Sequence, residues 1–309
     1  PPNTIMIIPP YLSPGDLVGI TCPASKIEKD AALFAASVLA SWGLRIRMGE
    51  TVGSSFHNFS APDEIRRREL QQMLDDEEVK AILFGRGGYG VLRILDGLDF
   101  SRFCAYPKWI CGYSDITALH MHVNTVYEIA TLHSVMCSGI TPITYSDPYV
   151  QSLRRALFGD LLEYSFDPHP LNRAGEGQGM LMGGNLSLLA NLSGTASQPD
   201  MKGKILFVED VGEYRYAVDR MMFNLRRAGW LSDLVGLVVG NFTAEKETDT
   251  PFGQTDYELI LEKVREYDFP VAFGFPVGHG EQNYTLKEGA VFRLSVGDAP
   301  LLGEHELNN

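Results

Sequence analysis

Cysteine is scarce in this chain and forms no pattern. Cys22, Cys104, Cys111 and Cys137 are the only four in 309 residues. They make no C-x-x-C pair and have no histidine cluster beside them, so neither a disulfide scaffold nor a zinc site is expected. Scattered thiols of this kind fit a reducing compartment. Positive charge is thin as well: 26 basic residues face 39 acidic ones, a net charge of −13. The longest basic run is Arg66-Arg67-Arg68, which sits in a helical pattern with Glu64 and Glu69 and reads as a solvated face. Nucleic acid is therefore not an expected partner, since phosphate binding needs concentrated Lys and Arg. No apolar run approaches the length of a membrane span. Residues 1–10 lack a charged region followed by an apolar one, so no signal peptide is expected, although the first residue is Pro1 and not Met. There is no internal repeat and no low-complexity tract.

What is present is a core. Hydrophobic residues make up 45% of the chain, enough for one large domain or two. Strand patterns at residues 16–21, 44–48, 79–84 and 109–111 alternate with helical patterns at 29–42, 62–74, 91–95 and 116–127. Repeated βα units imply an α/β fold with a mostly parallel, doubly wound sheet, whose ligands bind beyond the carboxyl ends of the strands. Residues 161–178 mix Asp, Pro, Asn, Gly and Glu with little periodicity and read as a linker. It would separate an N-terminal α/β domain, residues 1–160, from a C-terminal domain, residues 179–309. In the second part, helices are expected at 186–192 and 218–227. Strands are expected at 204–208, 234–239, 271–275 and 290–295, a smaller α/β domain.

Four stretches carry candidate chemistry. In Trp109-Ile110-Cys111-Gly112-Tyr113-Ser114-Asp115 an apolar run ends in glycine and serine, and a helical pattern begins at once. Ser114 thus sits at a strand-to-helix turn, where backbone N–H groups of the new helix can hold a developing oxyanion. The competing reading is that Ser114 or Asp115 is only a helix cap, and the fifth position of a G-x-S-x-G elbow is Ile116 here. Gly85-Arg86-Gly87-Gly88-Tyr89-Gly90 also joins a strand to a helix. It lacks the Lys-Ser/Thr of a P-loop and reads as a turn needing positive φ, as a phosphate cradle, or as a loop presenting the N–H of Gly87 or Gly88 toward Ser114 while Arg86 meets a carboxylate. Glu209 and Asp210 end a buried strand, where most acids are solvated turn residues. His279 lies between Gly278 and Gly280, which free its backbone to approach another element. His133, at the end of a strand pattern at 129–132, either lines the same cleft or is packed in the core.

Taken in order, five segments resemble the serine LD-carboxypeptidase family, which includes the murein tetrapeptide carboxypeptidases and the microcin C self-immunity peptidases. They are GRGGYGVLRIL from Gly85, GYSDITALH from Gly112, GGNLSLLANLSGT from Gly183, LFVEDVGEYRYAVDRM from Leu206 and GFPVGHGEQNYTLKEG from Gly274. The resemblance implies a Ser114–Glu209–His279 triad; to it the reading of the residues adds oxyanion donors at Asp115 and at Gly87 or Gly88, and Arg86 for a terminal carboxylate. The resemblance further implies an N-terminal domain like class I glutamine amidotransferases and a swivelling β/β/α-type C-terminal domain. It also implies a homodimer, no metal and no cofactor, and cytoplasmic release of D-alanine from murein tetrapeptides. The alternatives are an amidase acting on peptidyl or aminoacyl nucleotide antibiotics and a non-catalytic binding protein on the same fold. Two departures from the family pattern stand out: Lys287, where proline is expected, and His133-Ser134-Val135-Met136, where His-Gly-Pro-Met is expected and the pocket wall should differ.

Overall fold

A computed structural model describes residues 6–305. Thirteen strands form two sheets among these residues. In the first half they are β1 (Leu17–Thr21), β2 (Arg45–Met48), β3 (Val79–Phe84), β4 (Trp109–Gly112) and β5 (Thr131–His133). The second half supplies β6 (Glu163–Ser165), β7 (Gly175–Asn185), β8 (Lys204–Val211), β9 (Gly236–Thr243), β10 (Val271–Phe273), β11 (Leu286–Glu288), β12 (Val291–Val296) and β13 (Leu301–Glu304). The first sheet runs β11-β5-β4-β3-β1-β2 and the second β10-β9-β8-β7-β12-β13-β6.

The first sheet is parallel from β2 to β5. Strand β1 is buried along its whole length, as a central parallel strand covered on both faces must be, whereas β2 alternates exposed and half-buried at the edge. The helices Lys29–Ser41, Asp63–Asp75 and Thr117–Tyr127 connect the strands. Chain order reverses beside β1, so the loops after β1, β3 and β4 open into one crevice at the carboxyl ends.

The second sheet is parallel from β7 to β10 and antiparallel from β7 through β12 and β13 to β6. Its strands pack against the first sheet: Leu132 and Leu286 share one core cluster with Leu181, Phe207 and Phe275. The expected elements are all present within a few residues of their bounds. Four strands were not expected: the glycine-rich β7, which begins inside the stretch read as a linker, β13 near the end of the described residues, and two short ones, β6 and β11. β6 lies within the stretch read as a linker. β11 leaves the C-terminal half and pairs antiparallel with β5, Leu286 opposite His133. At three residues each, neither strand carries a period of its own, and only pairing with distant segments makes them strands.

Candidate active site

Strand β4 delivers Ser114. Gly112 leaves no room for a side chain, since a Cβ there would lie 3.0 Å from both Ile116 and Phe84. Tyr113 is still extended, and Ser114 then turns into the left-handed region with φ 64°. For a residue with a Cβ this costs about 1–2 kcal/mol, a strain held by the packing around it. A 3-10 turn, Ser114–Ile116, leads into the helix Thr117–Tyr127, and neither start has a side-chain cap. The Ser114 hydroxyl instead faces His279, with Oγ 2.9 Å from Nε2. The capping alternative is not what this serine does.

His279 is held from the other side by Glu209, its Nδ1 2.6 Å from Oε2. Glu209 lies within β8, fully buried, and reaches the loop carrying His279 because residue 278 is glycine. A Cβ on Gly278, whose φ is 122°, would fall 2.9 Å from both Cβ and Oε2 of Glu209. Nδ1–H donates to the carboxylate, which leaves the Nε2 lone pair to accept from the Ser114 hydroxyl. Burial opposes charging the imidazole, but the Glu209 hydrogen bond and charge, with Asp210 behind, outweigh it and raise the His279 pKa above its ordinary value. Tyr113 packs on the same ring, centroids 4.9 Å apart.

Asp210 faces away from this chain. It accepts from Asn185 Nδ2, the Ser187 N–H and the Ser187 hydroxyl, and burial pushes its carboxyl up to about 6. Those bonds tie β8 to the start of the helix Leu186–Leu192 and fix the strand end that bears Glu209. His133 is a core histidine. It is fully buried, set edge-on to Phe207, and burial holds its pKa down to about 3. Sequence reasoning missed Asn283. Its Oδ1 accepts the Gly278 N–H at 3.0 Å and lies 3.2 Å from His133 Nε2, so it fixes the His279 loop from behind. An asparagine in an irregular loop gives no periodic signal.

The glycine loop closes the site. Gly87 abuts the serine: a Cβ there would lie 3.0 Å from Ser114 Cβ and 3.3 Å from its Oγ. Gly88, at φ 96°, has Ser25 in the place a side chain would need. The N–H groups of both glycines donate to no acceptor among the described residues. Asp115 uses its side chain as a strap. Its buried carboxylate accepts the Val91 N–H at 2.8 Å, and burial pushes it up to about 6 against the bonds from Val91 and Gly90. The arginine triplet is not wholly a solvated face: Arg66 and Glu69 are buried, and the Arg66 guanidinium binds the carbonyls of Ala61, Pro23 and Gly90 and so gathers the loops after β1 and β3. Arg86 is exposed. Its positive charge opposes the upward push that burial and Glu209 give the Tyr113 phenol, which reaches about 12. A hydroxyl, imidazole and carboxylate aligned in this way, beside unused backbone donors, can perform nucleophilic acyl transfer.

Residues 18–134 match the family model described as LD-carboxypeptidase N-terminal domain, and residues 178–294 match the one for the LD-carboxypeptidase C-terminal domain. The chain belongs to the LD-carboxypeptidase family. It is 33% identical to a probable murein peptide carboxypeptidase of Bacillus subtilis over 94% of this chain and 92% of that protein. It is 29% identical to a murein tetrapeptide carboxypeptidase of Pseudomonas aeruginosa over 88% and 91% of the two chains. The crystal structure of muramoyltetrapeptide carboxypeptidase from Oxalobacter formigenes matches with a TM-score of 0.85 at 27% identity, covering 95% of this chain and 100% of that one. A microcin C7 self-immunity protein bound to aspartyl sulfamoyl adenosine matches with a TM-score of 0.86, covering 97% of this chain and 99% of that one, and at 20% identity it speaks for the fold alone.

The departures from the family pattern fall in two places. Lys287 of this LD-carboxypeptidase is buried away from Ser114, with Nζ bonded to Glu304 at 2.6 Å and to the Tyr11 hydroxyl at 2.9 Å, and fastens β11 to β13. The Ser134-Val135 segment lies under the serine turn: the Ser134 N–H donates to Gly112 O at 3.1 Å. Met136, next along, reaches the Gly87 wall.

Proposed function

We propose that this LD-carboxypeptidase hydrolyses the L,D-amide bond of murein tetrapeptides and releases the terminal D-alanine. The observation that carries the reading is the Ser114–His279–Glu209 chain, assembled from both halves of a sequence in the LD-carboxypeptidase family. His279 takes the proton of Ser114 as its oxygen attacks the scissile carbonyl, while Glu209 fixes the imidazole tautomer and stabilises the imidazolium. The N–H groups of Asp115 and of Gly87 or Gly88 receive the oxyanion, and the left-handed turn at Ser114 is what lifts the hydroxyl toward that position. The imidazolium then protonates the leaving amine of D-alanine. Water, deprotonated by His279, releases the acyl group. Arg86, exposed beside the loop, is the partner for the D-alanine carboxylate, since a charge taken out of water needs a counter-charge.

The family resemblance supports a homodimer working on recycled wall peptides in the cytoplasm. No helix among the described residues is long and apolar enough to cross a membrane. The test is substrate stereochemistry. With the carboxylate held and the carbonyl placed at Ser114, an L-alanine would aim its methyl where D-alanine has hydrogen, an overpacking of roughly 1–3 kcal/mol. Free D-alanine should appear from a tetrapeptide, with little release from the L-alanine epimer or from the C-terminal amide. Equal hydrolysis of both epimers refutes the assignment, and turnover of an aminoacyl nucleotide in preference to the tetrapeptide would favour the amidase reading.

A further inference from the structure

A second buried pair lies next to the nucleophile turn and takes no part in the Ser114–His279–Glu209 chain. Glu288 ends β11, and His120 lies in the first half of the helix Thr117–Tyr127; both are fully buried. Directly after Glu288 the chain passes from the first sheet to β12 of the second. Glu288 Oε1 accepts the Gly183 N–H of β7 at 2.9 Å. Its Oε2 has no partner, nor has His120 Nδ1, and these two atoms stand 3.8 Å apart. The other ring nitrogen, Nε2, is 2.7 Å from Gly112 O, the carbonyl two residues before Ser114. A carbonyl only accepts, so Nε2 carries a proton, and in the neutral ring Nδ1 then presents a bare lone pair. Two lone pairs facing each other in a dry interior repel, and one proton between them satisfies both.

We infer that Glu288 is a protonated carboxylic acid that donates to His120 Nδ1, after a small rotation of the carboxyl or through one water, and thereby positions the Gly112–Ser114 turn. The relay runs from the Gly183 N–H through Glu288 and His120 to Gly112 O and ties the second sheet to the strand end that carries the serine. Glu288 is a positioning residue, not a catalytic one. The surroundings agree. Burial holds the Glu288 carboxyl well above its ordinary range, against the pull of the Gly183 N–H, and holds His120 down to about 4. From β5 the facing groups are Thr131, opposite Glu288 in register, and the neutral His133, which turns to Asn283. From the helix, Asn124 is uncharged and bonds Ile129 O and Thr131. From β7 comes only the Gly183 N–H. Lys287, beside Glu288 on its own strand, reaches away to Glu304 and Tyr11. Among the described residues no lysine or arginine pairs with Glu288, so its ionised form would be a buried charge without a cation.

The effect on rate rests on Ser114 being the nucleophile; the proton on Glu288 does not, and the two are measured separately. Glu288→Gln keeps an acceptor for Gly183 and a donor for His120 but cannot ionise. Its unfolding midpoint should gain steadily on wild type as pH rises from about 4 to 8, because unfolded wild-type chain releases the Glu288 proton that the native state keeps. A gap that moves the other way shows an ionised Glu288 and overturns the inference. Glu288→Leu leaves His120 Nδ1 without a donor and should lower kcat by on the order of tenfold to a hundredfold with KM little changed, and glutamine should restore it. A folded Glu288→Leu protein with wild-type kcat shows that Glu288 positions nothing. Should the leucine variant not fold, nitrogen-15 resonances of His120 in the wild-type protein decide: the neutral Nε2–H tautomer is expected, and an imidazolium at neutral pH overturns the inference. A wild-type protein without carboxypeptidase activity would sink the proposed function, while the midpoint and tautomer still report on Glu288.

Discussion

Replacing Ser114 by alanine and, separately, by glycine separates the chemistry of this residue from its backbone. Either change removes the hydroxyl that meets His279 at 2.9 Å, and each should lower turnover by roughly four to six orders of magnitude. Losing that hydrogen bond costs both variants about 0.5–1.5 kcal/mol. They differ in the left-handed turn, φ 64°. Alanine keeps the strain of about 1–2 kcal/mol that a Cβ suffers there. Glycine escapes it but loosens the unfolded chain by about 0.4–1 kcal/mol. The balance is about 1 kcal/mol in favour of Ser114→Gly, about 1–2 °C in unfolding midpoint for a protein of this size. The assay is D-alanine release from a muropeptide tetrapeptide, with thermal unfolding of the same preparations. Near-normal activity in either variant refutes the nucleophile. A glycine variant less stable than the alanine variant refutes the claim that the turn stores strain.

Glu209→Gln should keep the fold and lose about three to four orders of magnitude in kcat, because an amide can hold the wrong imidazole tautomer; wild-type kinetics would remove Glu209 from the triad. Gly278→Ala should lower kcat with unchanged far-ultraviolet circular dichroism, since its Cβ would fall 2.9 Å from the Glu209 carboxylate oxygen; full activity would show that the close approach is not needed. The acid limb of kcat/KM should have its midpoint above the ordinary histidine value of 6.5, because the pKa of His279 is raised and the base works only when neutral; a midpoint below 6.5 would contradict the Glu209 pairing. The same raised pKa contributes stability that is complete below the unfolded value and disappears as pH climbs through the folded one. Arg86→Ala should raise KM more than it lowers kcat if Arg86 binds the terminal carboxylate in the ground state, and an unchanged KM would clear that role.

Local pattern alone determined where Ser114 would sit. An apolar run, a glycine and an immediate helical period place it at a strand-to-helix turn, because strand and helix periods are properties of adjacent residues. The same holds for the βα alternation that predicts a parallel sheet and for the glycine loop after β3. The family motifs named Glu209 and His279, but no local rule brings them together: they lie 70 residues apart, and Ser114 lies 165 residues from His279. Glu209 and His279 meet through the strand order β8-β9-β10 of the second sheet, and Ser114 reaches them only when the first sheet packs against it. The left-handed turn of a serine, the return of β11 to the first sheet, Asn283 behind the histidine loop and the facing atoms of Glu288 and His120 belong to the same class. Each depends on groups far apart in the chain sharing a dry, crowded volume, where the cost of an unpaired polar atom or an added methyl group decides what can stand there. Tertiary structure alone sets that volume.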